Sequence, residues 1–394
     1  MGAAIVSFWS LHIVHEGVTA RILNKEIFLL VALALVAVGV FVFTRTMAAR
    51  EQRMEVRIGR IWYDQGKQYI ASGKIEKAIQ AFRRSTAGTR YNQKYALALA
   101  DALIAGNHDI EAHQLLLRLR EADPENAEIN IYLARLTAKQ GETSDAVRYY
   151  QNALYGRWSG SQIDVRRRQL RVELIRFLLG HQEGNLASPE LLILETEIPD
   201  SAPSWIETAK LFTEAGDPQH ALKDYSEAVR LDSHNVEALT GAGETSFQLG
   251  DYAKATQYLK DSLDLNPQSE KARQLLSLAE MVLADDPLAP HLTAEERQRR
   301  VIPDFERSLR RLDSCLNQNS KSGTTAELQS LKAEALAMEP KLNQRKHLPD
   351  SDMVGAGVSL IFKMQKAASD SCGEPSVLDQ ALILIGLQHN GARP

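Results

Sequence analysis

Small residues recur at intervals of 34 positions in the first half of the chain, with Ala78, Ala112 and Ala146 in one column. Phe82, Leu116 and Tyr150 stand four residues later, Tyr69, Leu103 and Thr137 nine residues earlier, and Trp62, Ala96 and Asn130 sixteen earlier. A second pair keeps the register: Trp205, Phe212, Ala221, Tyr225 and Ala228, then Leu239, Ser246, Ala255, Leu259 and Ser262. Three consecutive units in one frame, with no gap, confine the chain to a repeat architecture. In such an array each unit buries its apolar face only against its neighbours.

The columns specify helix packing. A small residue lets two helices approach closely, and a large apolar residue four positions on shares its face and fills the space beside it. The Trp and Tyr columns are seven apart and form one stripe on a preceding helix. Between the two predicted helices stand Ser72-Gly73-Lys74, Gly106-Asn107-His108-Asp109, Gln140-Gly141-Glu142, Gly216-Asp217-Pro218 and Gly250-Asp251-Tyr252. These are helix-stop and N-cap signals at the place of a tight antiparallel turn. Each unit is therefore a helical hairpin. Aromatics at 6% and sparse Gly (23) and Pro (13) agree with an all-α chain and argue against a β-sandwich or barrel.

The pattern resembles the tetratricopeptide repeat family. Unit one matches through Trp62, Gly66, Tyr69, Ala78 and Phe82, unit two through Leu99, Ala112, Leu116 and Pro124, and unit three through Leu133, Ala146, Tyr150 and Ala153. Unit four carries Trp205, Ala209, Phe212, Ala221, Tyr225 and Ala228, and unit five Gly243, Ala255 and Pro267. These units span residues 59–160 and 202–269, about 43% of the chain. Residues 161–201 read as a degenerate hairpin, with a helix starting at Pro189 and stopping at Pro199. The resemblance implies an α-solenoid whose first helices line a concave, protein-binding groove. Its fifth positions are Tyr63, Leu97, Ile131, Ile206 and Thr240, and its ninth are Lys67, Asp101, Arg135, Lys210 and Glu244. The Lys/Asn/Arg clamp with which some members grip a chaperone's C-terminal carboxylate is not reproduced there. Apolar residues mixed with charges of both signs suit a protein segment better than a small anion.

Ahead of the repeats, Ile27–Phe43 reads IFLLVALALVAVGVFVF without a charge. Seventeen residues of helix reach roughly 26 Å, near the lower limit for a bilayer core. A cleaved signal is the competing reading, but its apolar core is shorter, and Arg45, Arg50 and Arg53 crowd the place of a cleavage site. A buried core helix would carry a polar stripe. The expected organisation is an interfacial segment at 1–26 (the apolar stretch Ala4–Val14 with Trp9), a transmembrane helix at 27–44 and a basic juxtamembrane linker at 45–58. A solenoid at 59–285 and an atypical helical region at 286–394 follow. Five Arg downstream outweigh Arg21 and Lys25 upstream, which favours cytoplasmic repeats. Long exported domains are only weakly governed by that rule, and the resemblance to anchored bacterial members favours the outer side. The expectation is extracytoplasmic, on the periplasmic side, with the orientation open.

Beyond the regular units, Lys271–Leu283 is expected to begin an atypical hairpin whose second helix runs about Glu295–Leu316. A polar loop at Asn317–Thr325 and helices near Ala326–Glu339, Ser351–Ala368 and Ser376–Gln388 follow. The last is apolar enough to dock, either as a cap over the open solenoid end or as a partner-binding helix. Cys315 and Cys372 are the only cysteines, and both a disulfide and two buried thiols fit them.

Catalytic signatures are absent: the sequence has no Walker loop, nucleophile elbow, H-E-x-x-H or C-x-x-C-H. His108 and His113 are five apart and do not share a helical face. No cofactor, metal or small-molecule substrate is expected. With 46 Lys+Arg against 50 Asp+Glu, nucleic acid is not an expected partner. The basic runs Arg166–Arg168 with Arg171, and Arg297–Arg300 with Arg307, Arg310 and Arg311, read as solvated helix faces. The sequence thus predicts a non-enzymatic, membrane-anchored scaffold for protein partners, in assembly or maturation of an envelope complex. The alternative is a non-catalytic subunit of a membrane enzyme complex, or an enzyme with an unrecognised C-terminal domain.

Overall fold

The computed structural model describes residues 6–87, 92–318, 325–343 and 350–389, with side chains from Leu29 onward except those of Leu30, Gln52, Gln318 and Thr325. The side chains of the expected interfacial stretch Ala4–Val14, and most of the polar loop Asn317–Thr325, lie outside the described residues. Every regular element among the described residues is a helix, 17 in all, as the periodicity predicts. The chain forms two compact units, residues 1–161 and 162–394.

The first unit contains α1 (Val6–Ala71), α2 (Ile75–Ala87), α3 (Gln93–Ala105), α4 (Asp109–Ala122), α5 (Ala127–Gln140) and α6 (Thr143–Leu154). One unbroken helix, α1, runs through the apolar segment and residues 45–58 to become the first helix of the first hairpin. The pairs α1–α2, α3–α4 and α5–α6 pack as hairpins. Ala78, Ala112 and Ala146 are fully buried, with Phe82, Leu116 and Tyr150 buried beside them. Burying each large side chain contributes about 1.5–3 kcal/mol. Gly66 allows the first hairpin to close, since a Cβ there would lie 2.5 Å from the Phe82 ring. At the α5–α6 turn, Gly141 adopts φ 79°, a left-handed conformation that ends α5.

Where the third unit departs from the apolar pattern, local partners compensate. Asn130, in the Trp62 column, donates from Nδ2 to the carbonyls of Pro124 (2.9 Å) and Asn126 (2.8 Å) and accepts from Arg120 Nε (3.2 Å). Thr137 donates to Leu133 O at 2.8 Å. Neither leaves a buried polar group unpaired.

The second unit contains α7 (Ile163–Gly180), α8 (Gly184–Glu197), α9 (Ala202–Glu214), α10 (Pro218–Leu231), α11 (Val236–Gln248) and α12 (Tyr252–Leu265). It continues with α13 (Glu270–Asp285), α14 (Ala294–Gln318), α15 (Thr325–Leu342), α16 (Ser351–Cys372) and α17 (Val377–His389). The pairs α7–α8, α9–α10 and α11–α12 pack as hairpins. Asp217, Asn235 and Asp251 cap α10, α11 and α12 by accepting from the backbone N–H three residues on. The α8 helix starts at Gly184, with Pro189 inside it rather than at its start. A first-turn proline position is favourable but not required where the preceding turn already holds the helix.

Two further expectations change. Arg171 is 2% exposed and not on a solvated face. It contacts Glu190 and donates to Glu197 at 3.2 Å, so charge pairing replaces the water it lost. Likewise α14 packs on α16, while α17 takes the place beside α13. Arg311 of α14 turns inward and donates to Gln365 Oε1 (2.6 Å), Ser369 Oγ (3.2 Å) and Gly373 O (3.3 Å). Gln365 in turn donates from Nε2 to Ser308 Oγ (3.0 Å) and Asp379 Oδ1 (3.1 Å). Cys315 and Cys372 form a disulfide joining α14 to the end of α16, with Cα atoms 5.6 Å apart.

Candidate functional site

In the first unit the first helices of successive hairpins present one face. Tyr63 of α1 stacks on Tyr95 of α3, with ring centroids 4.7 Å apart, and tilts against Phe82 at 5.8 Å. The ammonium groups of Lys67 and Lys94 lie 5.0 and 5.2 Å from the Tyr63 ring centroid. Lys67 also pairs with Asp64 at 3.0 Å. The cations thus sit within range of the negative face of an aromatic ring.

Beside this cluster, Asp101 of α3 faces Arg135 and Tyr132 of α5. Burial pushes the Asp101 carboxyl up, and Arg135 opposes the shift. Burial also pushes the Tyr132 phenol up, with Asp101 adding to it. Ile131, immediately before Tyr132, is half-buried, and Arg135 is exposed. The structure therefore gathers Tyr63, Lys67, Asp101, Ile131 and Arg135 on first helices of this unit. Leu97 is 6% exposed and belongs to the core, contributing little surface.

In the second unit, Ile206 is likewise 5% exposed. Lys210 contacts Glu237, Glu244 pairs with Lys271 at 2.8 Å, and Thr240 Oγ1 lies 2.7 Å from Ser262 Oγ. These ion pairs bridge successive first helices. A cleft of about 520 Å³ opens between α7, the end of α8 and α9. Val165, Val172, Leu194 and Ile198 supply its apolar walls, and Arg168, Glu173, Arg176 and Glu207 its charges. Arg176 and Glu207 pair across it at 2.8 Å. An apolar wall with charges of both signs suits an amphipathic peptide segment.

Sequence reasoning did not single out Tyr95, Lys94, Tyr132 or the α7 side of this cleft. Tyr132 and Glu207 each follow a fifth position, and that following place carries the accessible side chain where Ile206 turns inward. The α7–α8 hairpin departs from the motif, so no column pointed to Val165 or Arg168. A smaller cleft of about 380 Å³ in the first unit has Ala96 in its lining, in the column where the first hairpin has Trp62. Among the described residues no group of three or more His, Cys, Asp or Glu is placed to hold a metal ion.

Tetratricopeptide repeat family profiles match residues 59–87, 97–161 and 212–286. No curated protein matches the sequence. Among solved structures the chain is similar to YrrB, described as a TPR protein with an unusual peptide-binding site. The identity is 17% and the TM-score 0.38, over 50% of this chain and 97% of YrrB. It is similar to PilF of Pseudomonas aeruginosa at 16% identity and TM-score 0.37, over 57% of this chain and 98% of that one. The C-terminal part of a TPR repeat-containing protein from Cytophaga hutchinsonii aligns at 15% identity and TM-score 0.44, over 60% and 97% of the two chains. Taken with the buried small-residue columns and the hairpin turns, the profile matches show that this chain carries tetratricopeptide repeats over residues 59–87, 97–161 and 212–286.

Proposed function

We propose that this protein is a membrane-anchored scaffold that binds segments of protein partners along the first helices of its hairpins. The observation that carries the reading is the first-unit surface, where half-buried Tyr63, stacked on the buried Tyr95, lies beside Lys67 and Lys94. An aromatic anchor flanked by charges of both signs recognises peptides through apolar burial and selects them by charge. The groove residues of this proposal are Tyr63, Lys67, Asp101, Ile131 and Arg135 in the first unit and Lys210 and Glu244 in the second. Tyr132 and the α7–α9 cleft are added to them, and the buried Leu97 and Ile206 support the surface from beneath.

The anchor is residues 27–44. Among the described residues α1 is the one helix long and apolar enough to cross a membrane. We place the repeats on the extracytoplasmic side. The Cys315–Cys372 disulfide supports this, because such bonds persist in oxidising compartments. The scaffold would then serve assembly or maturation of an envelope complex.

A pull-down from detergent-solubilised membranes, comparing the wild type with a Tyr132→Ala, Arg135→Glu variant, tests the groove. Partners recovered by the wild type are lost from the variant, while its helical signal and melting temperature stay unchanged. Recovery of the same partners at the same yield overturns the reading.

A further inference from the structure

Between the apolar segment and the first hairpin, α1 stands alone. Residues 44–58 of this helix are exposed at nearly every described position, and the first buried residue is Gly59. Fifteen residues of helix extend about 22 Å, and an isolated helix of that length is marginal in water. Of its large exposed apolar residues up to Ile61, all but Val56 lie on one stripe. Met47, Met54 and Ile61 fall seven apart, and Ile58 lies four after Met54 and three before Ile61. Met54 is 63% exposed and Ile61 60%. The column extends back at the same interval through Val40 and Leu33, which are also exposed. Five residues at strict heptad spacing, with Ile58 in the alternate seam position, form the stripe of a coiled coil.

We propose that this part of α1 pairs with the same helix of a second copy of the chain, parallel and in register. The charges beside the stripe carry the choice of a second copy. With Met47, Met54 and Ile61 at d, Arg50 is at g and Glu55 at e of the next heptad, five residues on. That is the spacing at which g and e side chains of two parallel helices meet, so Arg50 of each copy faces Glu55 of the other. Among the described residues neither Arg50 nor Glu55 has an ion pair within its own chain. Glu51 interrupts the a column between Thr44 and Ile58, and the second copy's Arg50 stands next to it. One polar a position of this kind selects register at some loss of stability. The pairing rests on the anchor reading in one respect. Two copies held in one bilayer are already parallel and level, which raises their effective concentration.

The test uses the full chain, with single substitutions Met47→Cys, Met54→Cys, Ile61→Cys and Val56→Cys, treated with a mild oxidant in membranes. Cysteines whose Cα atoms lie beyond about 7 Å cannot be bridged, so the seam positions should crosslink at least about tenfold more than Val56→Cys, which lies on the opposite side of the helix. Reversing Arg50→Glu alone should reduce the Met54→Cys crosslink, and adding Glu55→Arg should restore it. A carbonate wash of the same membranes separates the two readings. Protein that pellets without seam-specific crosslinks overturns the pairing and leaves the anchor. Protein released by carbonate but crosslinked at the seam upholds the pairing and overturns the anchor. Equal crosslinking at Val56→Cys and Met54→Cys overturns the pairing in either case.

Discussion

The hairpins α9–α12 and the bundle α14–α17 lie in the same unit and are built on different principles. In the hairpins, Ala209, Ala221, Ala228 and Ala255 are fully buried at the predicted columns. Each meets a neighbour close in sequence, so a single period describes both spacing and contact. In the bundle, Val301, Phe305, Leu312, Met364 and Leu382 make the apolar core, and a polar network runs through it. Gln365, fully buried, links Ser308, Arg311 and Asp379 across separations of 14 to 57 residues. Repetition specifies a fold through proximity along the chain, whereas the bundle relies on a few directional contacts between distant segments. The first kind of core tolerates a changed pair of residues provided volume is kept. The second depends on every member of its network having a partner.

The largest contrast is expected at Gln365. Gln365→Leu keeps the side chain near the same volume but leaves Arg311 and Asp379 without the neutral group between them, a loss of about 2–3 kcal/mol. Chemical denaturation of the full chain reads it. A variant as stable as wild type would mean that the bundle is held by its apolar residues alone, and the comparison collapses.

Volume is the corresponding weakness of the repeats. Ala112 is fully buried where two helices touch, so Ala112→Leu should destabilise its hairpin by about 1–3 kcal/mol through overpacking. Ala98, partly accessible on α3, is the control and should accept Leu with little change. Equal melting temperatures for the two variants would contradict the register of the columns.

A smaller change per step is expected with pH, and it sharpens the contrast in polar burial. Burial and the nearby Asp285 push the Asp304 carboxyl of α14 up to about 7, with Arg307 opposing. In α10, burial and Glu195 push Asp224 up to about 8. Both groups hold a proton in the folded chain that they release when unfolded. Stability therefore falls as pH rises from about 4 toward 7–8, at up to about 1.4 kcal/mol per pH unit for each group. Asp304→Asn should match the wild type near pH 4 and exceed it by a growing margin up to about pH 7. A difference independent of pH would show that Asp304 does not titrate in that window.

The repeat hairpins were legible because their signal is local. Ala78, Ala112 and Ala146 announce the helix contact, and Gly141 and Gly250 announce turns that the structure places at φ 79° and 78°. The fate of Arg171 was not legible. Its two partners, Glu190 and Glu197, sit on the next helix, and nothing in a run of arginines distinguishes the one that turns inward. The same limit applies to α17, whose apolar face announces docking but not that α13 receives it. On the candidate surface, the motif points to Tyr63 and Arg135, of which the first is half-buried and the second exposed. Leu97 and Ile206 were misplaced by one position of helical rotation, about 100°, enough to move a side chain from surface to core.

The disulfide between Cys315 and Cys372 has a topological consequence. It closes a covalent ring that contains all of α15 and nearly all of α16. A single backbone cut anywhere inside that ring produces two polypeptides that remain one molecule. Such a nicked chain migrates intact without reductant and splits once thiol is added. Within the ring, α15 stays covalently tethered through its other side after cleavage of one flanking loop, so protease damage there becomes a change of connectivity and not of composition.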